Sequence, residues 1–169
     1  MRDEQGFEQY VVARWTGFHR LALLLTASES GAQDLVQVTL EKAYVAWPRI
    51  SAMESPDAYV RRIMVNALVS THRLARNRHE LAMADPPERG SHSHADDVLD
   101  HALLWPLVCA LPTRQRAVVV LRYYEDLSER EIAEALGCAL GTVKSTAHDA
   151  MAALRRGIAA VPVTEGSDR

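Results

Sequence analysis

Thr142, Lys144, Ser145 and His148, followed directly by Asp149, crowd into the stretch GTVKSTAHDA at positions 141–150. Hydroxyl, ammonium and imidazole groups at this spacing suit phosphate oxygens and base edges. A second set lies upstream, where Arg62, Asn66, Ser70, Arg73 and Asn77 recur every three or four residues. Arg76 and Arg78 continue that row, Arg61 and His72 lie beside it, and Tyr59 stands at its start. Guanidinium groups pair with phosphate and aromatic rings stack on unpaired bases, so the row fits a nucleic-acid strand as well as a plain solvated face. No Cys/His or Ser/His/Asp grouping suggests a nucleophile. His92, His94 and His101 near Asp96 and Asp97 resemble a metal set in composition only, because no rigid helix face fixes them. Cys109 and Cys138 fit no metal or redox spacing and are expected as buried thiols. We expect no enzyme activity, no cofactor and no metal.

These residues need elements to hold them. The chain has 169 residues, 48% of them hydrophobic, which suffices for one ordinary domain or two small helical ones. Its formal net charge is -3, so nucleic-acid binding must rest on local clusters. No apolar run reaches the length of about 18 residues needed to span a bilayer, and the start MRDEQ lacks a signal peptide's order, so a cytoplasmic protein is expected. The stretch DPPERGSHSHADD at 85–97 has paired prolines, Gly, Ser and charge without apolar period, and reads as a flexible linker.

Strong helical patterns flank it. Residues 7–26 are largely apolar, and ESGAQD with Gly31 is expected to stop that helix. From Asp34, the residues Val36, Leu40, Ala43 and Trp47 form an apolar stripe ending at Pro48, with Asp34, Gln37 and Glu41 on the other face. A third helix is expected from about Asp57 to Arg76 after Ser55 and Pro56. Val60, Met64, Ala67, Thr71 and Leu74 make its inner face. Beyond the linker, Leu99, Leu103, Leu107 and Leu111 repeat at spacing four, although Pro106 should perturb that helix, and Pro112 opens a valine-rich one.

In LSEREIAEALGCALGTVKS, Ser128 and Glu131 form a capping box. Ile132, Ala133 and Leu136 face inward, and Gly137 suits a left-handed cap. A turn leads to a second helix from about Thr142, with Val143, Ala147, Met151 or Ala150, Leu154 and Ile158 inside. A short capped helix, a turn and a longer helix make a helix-turn-helix, whose second helix enters the major groove N-terminus first. Arg155 and Arg156 either hold the backbone or join an internal network. Asp149 has three readings: it accepts from a cytosine amine, pairs with an arginine such as Arg122 or Arg130, or is solvated.

AQDLVQVTLEKAYVAW, SPDAYVRRIMVNALVSTHR and LPTRQRAVVVLRYYEDLSEREIAEALGCALGTVKS, in this order over about residues 7–157, resemble an extracytoplasmic-function (ECF) sigma factor of bacterial RNA polymerase. The resemblance implies an all-α chain of two small domains. Residues 7–80 would bind core polymerase and the minus-ten element, 81–97 would be a linker, and 98–160 would bind the minus-thirty-five element. Asp34, Gln37 and Glu41 would meet the polymerase clamp. Tyr59, Arg62, Asn66, Arg73 and Arg76 would meet the opened minus-ten strand, where Tyr59 either stacks on a base or packs in the core. Thr142, Lys144, Ser145 and His148 would read the minus-thirty-five element, although relatives often carry arginine where Thr146 or Asp149 stands here. The linker would run near the polymerase channels, with Asp96, Asp97 and Asp100 as loose nucleic-acid mimics. Core RNA polymerase, promoter DNA and an anti-sigma factor are the implied partners. The alternative is a stand-alone helix-turn-helix regulator.

Overall fold

The computed structural model describes residues 3–79 and 98–160, and within them all side chains except those of 72–79 and 98–103. Seven helices make up these residues: α1 (Glu4–Thr26), α2 (Glu29–Ile50), α3 (Pro56–His79), α4 (Val98–Ala110), α5 (Thr113–Tyr123), α6 (Glu129–Leu136) and α7 (Leu140–Ala159). Helices α1–α3 form an N-lobe and α4–α7 a C-lobe. His92, His94, Asp96, Asp97 and the linker lie outside the described residues.

The turn between α1 and α2 departs from the sequence expectation. Gly31 ends no helix. It sits in the first turn of α2, where its N–H donates to the Oγ of the cap residue Ser28 at 3.0 Å. Ala27 makes the left-handed turn at φ 56, and the Thr26 hydroxyl braces it with its one proton shared between the carbonyls of Ala22 at 2.8 Å and Ser28 at 3.0 Å. A Cβ on Gly31 would lie 3.1 Å from Thr26 Cβ, so close approach explains the glycine. Asp57 in the first turn of α3 ties α1 down, accepting from Tyr10 Oη at 2.8 Å and pairing with Arg14 Nε at 3.0 Å. Burial, the Tyr10–Asp57 hydrogen bond and the Asp57 charge all push the Tyr10 phenol well above its ordinary pKa.

Both prolines are accommodated within helices, Pro48 in the last turn of α2 and Pro106 inside α4. Both are exposed, so water can take the carbonyl that each proline leaves unbonded. On α3, Val60, Met64 and Ala67 are buried as expected, but Thr71 is exposed and its hydroxyl donates to the Ala67 carbonyl; Val65 and Leu68 complete the inner face. On α7 the inner stripe is Val143, Ala147, Ala150 and Leu154. Ile158 points out with 51% of its surface exposed.

The two lobes pack on each other. One apolar cluster runs from Leu25, Val36 and Met64 of the N-lobe to Val118, Leu121 and Ile132 of the C-lobe. Val108, Leu111, Val119, Ala150 and Leu154 form a second cluster within the C-lobe. Gly137 closes α6 at φ 63, a left-handed conformation that costs a residue with Cβ about 1 kcal/mol. Gly137→Ala should lower C-lobe stability by about that amount in urea unfolding.

Candidate nucleic-acid interface

The local chemistry of the helix-turn-helix fixes where α7 begins. Ser128 Oγ accepts from the Glu131 N–H at 3.3 Å, while Glu131 Oε2 accepts from the Ser128 N–H at 2.8 Å. These Ser128 hydrogen bonds hold the Glu131 carboxyl below its ordinary pKa. The carboxylate's contribution to stability is therefore present above the unfolded carboxyl range and is lost as pH falls through the lowered folded value. Helix α7 differs from α1, α2 and α6: its N-cap is Ala139, and no side chain caps it. Its Leu140 and Gly141 amides stay available to an anion, while the Thr142 N–H donates to the Ala139 carbonyl at 3.0 Å.

The outward residues of α7 follow from this start. Lys144, Ser145, His148 and Asp149 are exposed, and Thr142 is half-buried. Ser145 Oγ donates back to the Thr142 carbonyl at 3.1 Å. Lys144 Nζ lies 4.0 Å from Glu129 Oε2, and the other oxygen of Glu129 takes Arg122 Nη1 at 3.2 Å. Asp149 is exposed and makes no ion pair among the described residues, and Arg122 belongs to Glu129, so the pairing with Arg122 or Arg130 is not formed.

On α3, Arg62 and Asn66 are exposed on the face that carries Tyr59. The half-buried Tyr59 ring packs against the core and lies under Arg49, whose Cζ is 5.3 Å from the ring centre. Arg73 and Arg76 lie on α3, and only their backbone positions are described. On α2, Asp34, Gln37 and Glu41 are exposed in a row, with Gln37 Nε2 donating to Glu41 Oε1 at 3.1 Å. They border a groove of about 530 Å³ whose other walls include Leu68 and Thr71 of α3 and Arg116 of α5.

Arg116 joins the lobes. Its guanidinium, in a residue only 8% exposed, donates through Nε to the Leu25 carbonyl at 3.0 Å and through Nη1 to the Cys109 carbonyl at 2.8 Å. Weaker hydrogen bonds reach the Leu111 and Thr26 carbonyls. The cation thus sits at the carbonyl end of α1, where the helix dipole favours it. Burial lowers its pKa, yet a guanidinium stays charged in proteins. Burial also raises the Cys109 thiol. Both cysteines are free and half-buried, and no cluster of metal-ligating side chains exists among the described residues.

Two sequence profiles match the lobes in this order: Sigma-70 region 2 over residues 16–79 and Sigma-70 region 4 over residues 102–154. The RNA polymerase sigma-E factor of Streptomyces coelicolor is 40% identical over 160 residues, covering 95% of this chain and 90% of that protein. The ECF RNA polymerase sigma factor SigL of Mycobacterium tuberculosis is 32% identical over 162 residues, covering 94% and 89%. The chain belongs to the ECF sigma factors. Its function is that of this family, directing the initiation of transcription by RNA polymerase. The solved sigma factor RpoE of Bartonella quintana, in complex with the anti-sigma factor NepR, shares the fold with a TM-score of 0.74 at 23% identity, covering 94% of this chain and 99% of that one.

The match to region 2 sets aside a regulator built on the C-lobe alone. In ECF terms, the α2 row and the α3 row lie in region 2 and the α7 residues in region 4. Three contacts of this sigma factor escaped sequence reasoning: Arg116 across the lobes, Arg49 over Tyr59, and an ion pair of Arg61 with Glu125. An arginine placed directly before the buried run AVVVL was the one sequence signal for the first; nothing local signals the others. No helix among the described residues is long and apolar enough to cross a membrane.

Proposed function

We propose that this sigma factor uses three faces in one promoter complex. Asp34, Gln37 and Glu41 dock on the polymerase clamp, whose complementary surface is basic. Tyr59, Arg62, Asn66, Arg73 and Arg76 engage the opened minus-ten strand. Thr142, Lys144, Ser145 and His148 enter the major groove at the minus-thirty-five element. The observation that carries this reading is the uncapped N-terminus of α7, presented with Lys144, Ser145 and His148 exposed beside a fully capped α6. Residues 7–80 and 98–160 act as separate domains, with 81–97 as the tether.

The packed lobes then have to part. The two elements are by their names about 25 base pairs apart, or about 85 Å at about 3.4 Å per pair. A compact chain of this length has a radius of gyration of about 15 Å and cannot reach both. The groove beside Asp34, Gln37 and Glu41 has Arg116 in its wall, so polymerase docking there bears directly on the lobe junction. The protein works in the cytoplasm, where polymerase and DNA are, and carries out no reaction of its own. A protein inhibitor of the anti-sigma kind, as in the RpoE–NepR complex, is the natural regulator of such a packed state.

The test is promoter binding with the polymerase complex across a salt series. Lys144→Ala should weaken binding and flatten the slope of log affinity against log salt by about 0.9 for each phosphate that is no longer neutralised. An unchanged slope contradicts a phosphate role for Lys144.

A further inference from the structure

Arg61 and Glu125 form the shortest ion pair among the described residues, Nε to Oε2 at 2.7 Å, and the only one there that crosses between the lobes. Their side chains are 25% and 22% exposed, so the pair is shielded from bulk water. Arg61 is the immediate neighbour of Arg62 on α3, two residues after Tyr59 and five before Asn66, on the flank of their face that turns toward the C-lobe. Glu125 stands in the short connection between α5 and α6, held by its N–H to the Val120 carbonyl and followed by Asp126 in a left-handed turn at φ 52. A second carboxylate, Glu131 at the start of α6, also feels the Arg61 charge. The C-lobe therefore lays an acidic turn beside the helix face proposed above for the promoter strand, against Arg61.

A carboxylate oxygen at 2.7 Å and a phosphate oxygen make the same charge-assisted hydrogen bond to a guanidinium. We infer that Arg61 is a further promoter-phosphate ligand and that Glu125 is its internal stand-in. In the packed protein the α5–α6 turn occupies Arg61; when the lobes part, the guanidinium passes to a phosphate of the minus-ten strand. One ion pair thereby closes the lobes and withholds a cation from DNA. The inference rests on the reading that the α3 face binds this strand.

The probe is a short, fluorescein-labelled single-stranded DNA of mixed sequence, since a phosphate contact is independent of sequence, titrated with the full chain over a salt series. Glu125→Gln keeps the side-chain shape and removes the charge. It should tighten strand binding about ten-fold, and adding Arg61→Gln should abolish that gain and reduce the salt slope by about 0.7, one phosphate contact on a single strand. Thermal unfolding followed by circular dichroism confirms that each variant is folded. Equal binding by Glu125→Gln and the parent overturns the inference. So does an undiminished gain in the double variant, which would make the pair a mere clip between lobes. Arg62→Ala separates the two levels: a reduced slope there with none for Arg61→Gln overturns this assignment and leaves the strand face standing, whereas no response to either overturns both.

Discussion

Replacing Arg116 by methionine should destabilise the folded chain by about 3 kcal/mol in urea unfolding. The guanidinium is the partner of the Leu25 and Cys109 carbonyls at 3.0 and 2.8 Å. Methionine has a comparable reach and no donor, so it leaves those acceptors at a buried junction without a partner, each worth about 1–3 kcal/mol. Arg116→Lys should recover less than half of the loss. An ammonium acts as a point charge and cannot fork between the end of α1 and the turn before α5. A loss below about 1 kcal/mol for the methionine variant would show that water replaces the guanidinium and that the junction is not held by it. The same variant should enlarge the hydrodynamic radius of the free protein, because Arg116 donates to both lobes.

Asn66→Ala should reduce promoter opening by at least about ten-fold while leaving the initial closed complex nearly unchanged. Asn66 is exposed on α3 beside Arg62, and its amide offers both a donor and an acceptor to the edge of an unpaired base, an interaction of about 1–3 kcal/mol. In the closed complex the bases are still paired, so the amide has nothing to read. Permanganate reactivity of unpaired thymines against promoter occupancy separates the two steps. Equal loss of both would assign Asn66 to phosphate binding or to folding.

The features that could be read from the sequence are those set by neighbours in the chain. Ser128, Glu131 and Gly137 define α6 through contacts spanning at most a turn and a half, and the structure has each as expected. The alternation of buried Val60, Met64 and Ala67 with exposed Arg62 and Asn66 follows directly from helical period. Gly31 misled because glycine has two uses. Its sequence neighbours do not reveal that Ala27 takes the left-handed conformation while Gly31 makes room for Thr26. Thr71 and Ile158 continue an inner period on paper, but the fold leaves both exposed. The lobe junction was hidden for a different reason. Arg116 and Leu25 are 91 residues apart, and an arginine beside a valine run reads as solvated until a partner helix end is brought to it. Arg61 likewise reads as one more cation of the stripe, and only the fold brings Glu125 to it. Local chemistry therefore made the proposed binding faces legible, and tertiary packing revealed the contacts that join the lobes.

Reconstitution with purified bacterial core RNA polymerase on genomic DNA reads the promoter selectivity of this sigma factor itself. Addition of this protein should give discrete new transcripts whose start sites share upstream minus-ten and minus-thirty-five sequences. The signal should fall with Lys144→Ala and Asn66→Ala, and also with charge reversal of Asp34 and Glu41. Transcripts identical to those of core polymerase alone would contradict the account.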